Sequence, residues 1–311
     1  MGKIAVVFPG QGAQYVGMGQ ELANAYPTAK AVFEKATAAM GYDMEALCFD
    51  SSAEELKKTE NTQPSILTAS YAMYQVLKEK GVNPEAVAGL SLGEYTALVA
   101  AGAMPFEQAV KVVQKRGQYM QEEVPIGVGG MAAILGLDND KVIEACAKAS
   151  SVGVVEPANF NCPKQLVIAG EVKAVEEAVE VCKELGAKKA VMLPVSAPFH
   201  TSMLIGAGEK LKGELDKVDF KEMVLPVVAN VTADFVPGEQ AVKDLLIQQV
   251  SNPVRWEESV QRLIDGGFDT FIEVGPGKAL GKFLKRISKE VTILNVEDAA
   301  SLDKTLAKLE G

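Results

Sequence analysis

The sequence predicts an α/β protein that carries a smaller inserted module. Three observations lead there. Apolar β-type runs alternate with helical patterns from the first residues onward, the order of a sheet covered by helices on both faces. Between residues 127 and 194 the order changes to β-α-β-β-α-β, the ferredoxin-like split βαβ arrangement. After residue 194 the first pattern resumes, so the outer unit is discontinuous in sequence.

Residues 3–8 read as a buried parallel strand because they are an almost unbroken apolar run. Helices are predicted over 25–40 and over 64–80, the second closed by Gly81 in the left-handed position that ends many helices. A short strand at 87–90 precedes a small-residue helix at 94–101 and an amphipathic helix at 105–123. The character changes at Pro125-Ile126-Gly127-Val128-Gly129-Gly130. The module then reads as strand 131–137, helix 138–150, strand 152–159, a turn at Asn161-Cys162-Pro163, strand 165–170, helix 171–186 and strand 189–194. Beyond it come a helix at 203–217, a strand at 226–230, a helix at 256–266, a strand at 270–274 and, after Gly275-Pro276-Gly277, a helix at 278–287. The expected division is residues 1–126 with 195–311 as one α/β domain, and 127–194 as a ferredoxin-like subdomain. Binding sites commonly lie between such units.

Composition narrows the function classes. At 311 residues the chain buries enough core to fold without disulfides or a metal. No apolar stretch approaches the roughly 20 residues a membrane helix needs, and the first residues read as a strand, not a signal segment. A cytoplasmic protein acting as a monomer is expected. Cys48, Cys146, Cys162 and Cys182 form no C-x-x-C pair and only one histidine is present, which argues against a zinc site and for isolated core thiols. The net charge of −10 argues against nucleic acid as the main partner, since phosphate binding needs a basic surface.

Chemistry concentrates at four places. Gly89-Leu90-Ser91-Leu92-Gly93 is a G-x-S-x-G match in strand-turn-helix context, where a strained turn presents the serine hydroxyl above the sheet. A serine needs a base to become a nucleophile, and His200, in Pro198-Phe199-His200, is the only histidine. No acid between Ser91 and His200 stands out as a third member, so a Ser-His dyad is expected, its imidazole oriented by a carbonyl. On the helix at 105–123, Arg116 falls in the apolar stripe of Phe106, Ala109, Val110, Val113 and Met120, while Lys111 and Lys115 fall opposite. An inward guanidinium keeps its charge and needs an anion. That anion is either an internal carboxylate or part of a substrate held by a bidentate fork. Finally, Phe8-Pro9-Gly10-Gln11-Gly12-Ala13-Gln14 follows the first strand; it suits either a phosphate cradle, though it is neither G-x-G-x-x-G nor a Walker sequence, or hydrogen bonding to an oxyanion.

Taken together, Phe8-Pro9-Gly10-Gln11-Gly12, Gly89-Leu90-Ser91-Leu92-Gly93-Glu94-Tyr95, Arg116, Pro198-Phe199-His200, Asn252-Pro253-Val254-Arg255-Trp256 and Glu273-Val274-Gly275-Pro276-Gly277 resemble the malonyl-CoA:acyl carrier protein transacylases, in order and over essentially the whole chain. The resemblance implies a hydrolase-like parallel-sheet core with a ferredoxin-like (βαββαβ) insert. It implies malonyl transfer from malonyl-CoA to the phosphopantetheine thiol of acyl carrier protein in fatty acid biosynthesis, with Ser91 as nucleophile and His200 as base and then acid. Gln11 and the backbone N–H of Leu92 match the family's oxyanion hole, Arg116 its carboxylate anchor, and Gln249 the position whose main-chain carbonyl orients the histidine. Phe199 resembles the malonyl-selective members. No cofactor is implied beyond the coenzyme A thioester as substrate. Lys188-Lys189 and Lys278, Lys282, Lys285 and Arg286 are candidate basic contacts for an acidic carrier protein. The rival readings are a serine thioesterase or hydrolase, a non-catalytic carrier-binding scaffold and a polyketide-pathway acyltransferase.

Overall fold

In the computed structural model, which describes residues 2–195 and 197–310, the chain builds two sheets. Met1 and Gly311, the ends of the expected outer domain, and Ser196 within it lie outside the described residues. The strands are β1 (Lys3–Phe8), β2 (Ala86–Gly89), β3 (Gly129–Leu135), β4 (Val155–Cys162), β5 (Gln165–Glu171), β6 (Lys189–Met192), β7 (Val227–Val228), β8 (Phe268–Val274) and β9 (Thr292–Val296).

The larger sheet has the order β7-β2-β1-β8-β9, and every pairing in it is parallel. Its centre is apolar on both faces, as a sheet covered on both sides requires. Val6 and Phe8 of β1 join the core under the long helix Thr59–Glu79, while Ala5 and Val7 pack with Trp256, Val260 and Leu284 on the other side. The smaller sheet has the order β4-β5-β3-β6 and is antiparallel throughout. Its side chains alternate with a period of two. Ala132, Ile134, Leu166 and Ile168 face the helices Asn139–Ala149 and Val172–Glu184, and Met131, Val167 and Ala169 face the main core. The architecture is therefore α/β, a parallel-sheet core with a βαββαβ unit.

Topology gathers the site. Phe8 pairs with Gly89, and Ala88 with Val228, so the loops after β1, β2 and β7 leave the same edge of the sheet side by side. Ligands in open α/β sheets bind beyond that carboxyl edge.

Several elements depart from the sequence expectation. The helix expected at 25–40 is two, Gln20–Ala25 and Pro27–Met40, broken at an extended Tyr26 because a residue before proline avoids the helical region. Helix Thr59–Glu79 begins five residues before Pro64 and runs through it. Tight packing outweighs the proline there: a Cβ on Gly117 would lie 2.6 Å from the Thr59 carbonyl oxygen, so helix Phe106–Glu123 sits directly against that first turn. Gly81 does close the helix, with φ 84 and N–H bonds from Gly81 to Lys78 and from Val82 to Leu77. The turn expected at 161–163 is Pro163-Lys164, with Lys164 at φ 60; two register shifts in β4 blur the alternation that would have located it. Helices Met44–Phe49, Ala53–Lys57, Glu239–Ser251 and Ala299–Glu310 and strand β9 have no counterpart in the sequence expectation.

Candidate active site

Ser91 sits at the tip of the turn between β2 and helix Leu92–Ala100, with φ 53 and ψ −107, a conformation that is strained for any residue but glycine. Its neighbours explain the sequence. A Cβ on Gly89 would lie 1.9 Å from the Gly93 carbonyl, and one on Gly93 would lie 2.1 Å from the Phe8 carbonyl oxygen. The turn is this tight because the helix starts almost on top of two strands. Asn230, just beyond β7, clamps it. The Ser91 N–H donates to Asn230 Oδ1 at 2.6 Å, and Asn230 Nδ2 donates to the Gly89 carbonyl at 2.7 Å.

His200 lies 109 residues further on, yet its Nε2 is 2.8 Å from Ser91 Oγ. Its Nδ1 is 2.8 Å from the main-chain carbonyl oxygen of Gln249, near the end of helix Glu239–Ser251. A carbonyl only accepts, so Nδ1 carries the proton and the Nε2 lone pair faces the serine hydroxyl. His200 also has positive φ, 64, and is buried. Burial, and then the nearby Arg116 cation, pull its pKa from 6.5 down to about 3. In the free protein the imidazole is neutral.

Both residues open onto a cleft of about 520 Å³ that lies between the two sheets. Gln11 and Phe199 line it, as do Asn159 and Asn161 of β4. Gly10 brings the Gln11 turn close: a Cβ there would be 2.5 Å from the Leu90 carbonyl oxygen. Leu92 is the first residue of its helix, where a backbone N–H has no acceptor within the helix. The same helix start that strains Ser91 thus leaves a donor beside it.

Arg116 reaches the cleft from helix Phe106–Glu123 and is 1% exposed. Its Nη1 donates to Gln63 Oε1 at 2.8 Å, and its Nη2 donates to Gln249 Oε1 at 2.9 Å and to Ser91 Oγ at 3.1 Å. Its Cζ lies 5.5 Å from the ring centre of Tyr95. Among the described residues no carboxylate makes an ion pair with it. The inward guanidinium is held by neutral oxygens, with the Glu94 carboxyl one amide away, and makes no direct ion pair beside the nucleophile.

A profile of the family described as "Acyl transferase domain" matches residues 5–306. A Bacillus subtilis protein named malonyl CoA-acyl carrier protein transacylase is 46% identical over 311 residues, covering 100% of this chain and 98% of its own length. The chain belongs to the malonyl CoA-acyl carrier protein transacylase family. The family's Escherichia coli K12 member is 46% identical over 307 residues, 98% of this chain and 99% of that one. Among solved structures, a malonyl CoA-acyl carrier protein transacylase from Clostridium perfringens superposes with a TM-score of 0.97 at 48% identity, covering 99% of this chain and 97% of the other. A malonyl-transacylase solved in complex with a type II PKS acyl-carrier protein superposes with a TM-score of 0.96 at 43% identity, covering 98% and 99%.

Three residues of this transacylase site were not singled out from sequence. Gln63 ties one end of Arg116, and Asn230 clamps the turn. Glu94 is buried and accepts N–H bonds from Asn230 at 3.1 Å and from Gln249 Nε2 at 2.7 Å. Burial raises its pKa to about 7 despite those bonds and Arg116. Glu94 was readable, since it stands one turn after Ser91 as the one charged residue of its helix. The candidate basic contacts are exposed, and two have partners: Lys278 pairs with Glu297 at 2.8 Å, and Arg286 donates to Gln165 at 2.6 Å.

Proposed function

We propose that this chain transfers malonyl from malonyl-CoA to the phosphopantetheine thiol of an acyl carrier protein through an ester on Ser91, with the carrier of fatty acid synthesis as its client. One observation carries the reading: a serine on a neutral histidine, with a guanidinium that makes no direct ion pair one hydrogen bond away. In this reading Ser91 Oγ attacks the thioester carbonyl while His200 Nε2 takes its proton. The N–H of Leu92 and the Gln11 turn receive the oxyanion. The C–S bond breaks, and His200 returns the proton to the departing coenzyme A sulfur. The carrier thiol then repeats the sequence on the Ser91 ester, with His200 taking the thiol proton and giving it back to Ser91.

Arg116 has two tasks here. Its fork grips the free malonyl carboxylate in place of the Ser91 hydroxyl, which fixes the acyl group and leaves less room for water. The bound carboxylate also offsets the cation that depresses His200, so an anionic acyl group makes its own general base stronger. A neutral acyl group does neither. Phe199, beside the histidine, narrows the cleft toward unbranched acyl chains. The units 1–126 with 195–311, and 127–194, supply opposite walls. The exposed Lys188, Lys189, Lys282 and Lys285 are proposed contacts for an acidic carrier. A relative at 43% identity was solved with a type II PKS carrier, so a polyketide carrier is the second client to test.

The test is intact-protein mass after brief mixing with malonyl-CoA, beside Ser91→Ala and an acetyl-CoA control, followed by addition of each carrier. The expected result is a malonyl adduct on the native chain alone, weak with acetyl, and discharged onto a carrier thiol. Steady release of coenzyme A with free malonate and no carrier product would make the chain a thioesterase.

A further inference from the structure

We propose that Glu94 is a positioning residue which, through the side-chain amide of Gln249, aims the Arg116 guanidinium at the acyl carboxylate. The inference rests on the malonyl reading above. In that reading Gln249 serves through one atom, the main-chain oxygen that holds His200. Its side chain is fully buried and makes three further bonds. Nε2 donates to Glu94 Oε2 at 2.7 Å and to the Ser91 carbonyl at 2.9 Å, and Oε1 accepts from Arg116 Nη2 at 2.9 Å.

An amide has a donor end and an acceptor end of nearly the same shape, so its surroundings decide which way it points. A guanidinium has donors only and must meet the oxygen. The opposite end must then be met by acceptors, and here Glu94 and the Ser91 carbonyl take both amide hydrogens. Glu94 is itself pinned, because the Asn230 N–H donates to the same Oε2 at 3.1 Å. Without Glu94, one amide hydrogen of Gln249 is buried without a partner, and the amide is tied at that end by the Ser91 carbonyl alone. On one tie the amide plane is loosened, and its oxygen no longer stays fixed on Arg116 Nη2. The guanidinium is then held by Gln63 alone on one side and swings from its aim. Because Glu94 lies on the helix that Ser91 opens, the helix that presents the nucleophile also sets the direction of the anchor.

The discriminating quantity is the ratio of kcat/KM for malonyl-CoA to that for acetyl-CoA, measured on one preparation. It does not depend on the fraction of enzyme that is folded. Glu94→Ala should lower this ratio on the order of tenfold, the effect of one lost hydrogen bond to a charged group, and the malonyl loss should appear mainly in KM. Gln249→Met keeps the main-chain carbonyl and the side-chain length, and should lower the ratio similarly. Glu94→Gln should hold the ratio near the native value, since its amide oxygen can take the same two N–H bonds. An unchanged ratio in Glu94→Ala, or in Gln249→Met if Glu94→Ala yields no active enzyme, overturns the proposal. So does a fall in Glu94→Gln as large as in Glu94→Ala. If the native chain takes up no malonyl, the functional reading fails and the inference with it. If the native chain is malonyl-selective and the variants are equally so, only the role of Glu94 fails.

Discussion

His200 is the only histidine in the chain, so its imidazole carbon-bound protons report on the base without any assignment step. An unperturbed histidine, with a pKa near 6.5, is about 97% protonated at pH 5. With a pKa of about 3, His200 is about 1% protonated there. The difference between the two values corresponds to about 5 kcal/mol between protonation states. Burial is the larger cause and Arg116 the second. The imidazole resonance should therefore stay flat from pH 8 to pH 5 in the free protein. Arg116→Met removes the second cause only, so its midpoint should rise above the native one and remain below 6.5. Saturating malonate should act in the same direction by placing a carboxylate against the guanidinium. Glu94 titrates near 7 and could move the signal indirectly; repeating the series in Glu94→Gln removes that contribution. A midpoint near 6.5 in free Glu94→Gln protein would refute the reasoning, because a buried imidazole beside a buried cation could not titrate normally. Because its pKa is depressed in the folded protein, His200 gives stability that is present above pH 6.5 and is lost as the pH falls toward 3.

Two further outcomes follow from the geometry. Arg116→Lys keeps the charge but loses the two-pronged fork, so acylation by malonyl-CoA should fall by about 10- to 100-fold, with acetyl-CoA affected less; burst kinetics with both thioesters would show it, and equal losses would remove the carboxylate anchor. Gly93→Ala places a Cβ 2.1 Å from the Phe8 carbonyl oxygen, so it should cost at least about 2 kcal/mol of stability through overpacking and displace Ser91; a native melting curve with native activity would contradict the tight-turn account.

The sequence carried the outline of this fold because its strong signals are local. The apolar run of β1, the Gly81 helix stop and the G-x-S-x-G turn each depend on residues within a few positions. What it did not carry depends on distant partners. Pro64 reads as a helix start until the close approach of Gly117 to Thr59 is known. Gln63 and Asn230 are ordinary polar residues until Arg116 and Ser91 arrive beside them, 53 and 139 residues away in sequence. Helix Glu239–Ser251 is legible in the spacing of Val242, Leu246 and Val250, all buried. Arg116 shows the limit most clearly. Its inward direction was in the periodicity, whereas its lack of a direct ion pair among the described residues, and its link through Gln249 to Glu94, needed three dimensions.

The partners of Ser91 lie far along the chain, its base 109 residues later and the carbonyl that orients that base 49 residues later still. During synthesis the N-terminal part emerges and begins to fold first. The serine hydroxyl is therefore synthesised well before its base and the carbonyl that orients that base. Until the Gln249 segment has been delivered and seated, the hydroxyl is as unreactive as any other alcohol. A chain that stops before Gln249 carries the nucleophile without the relay that activates it.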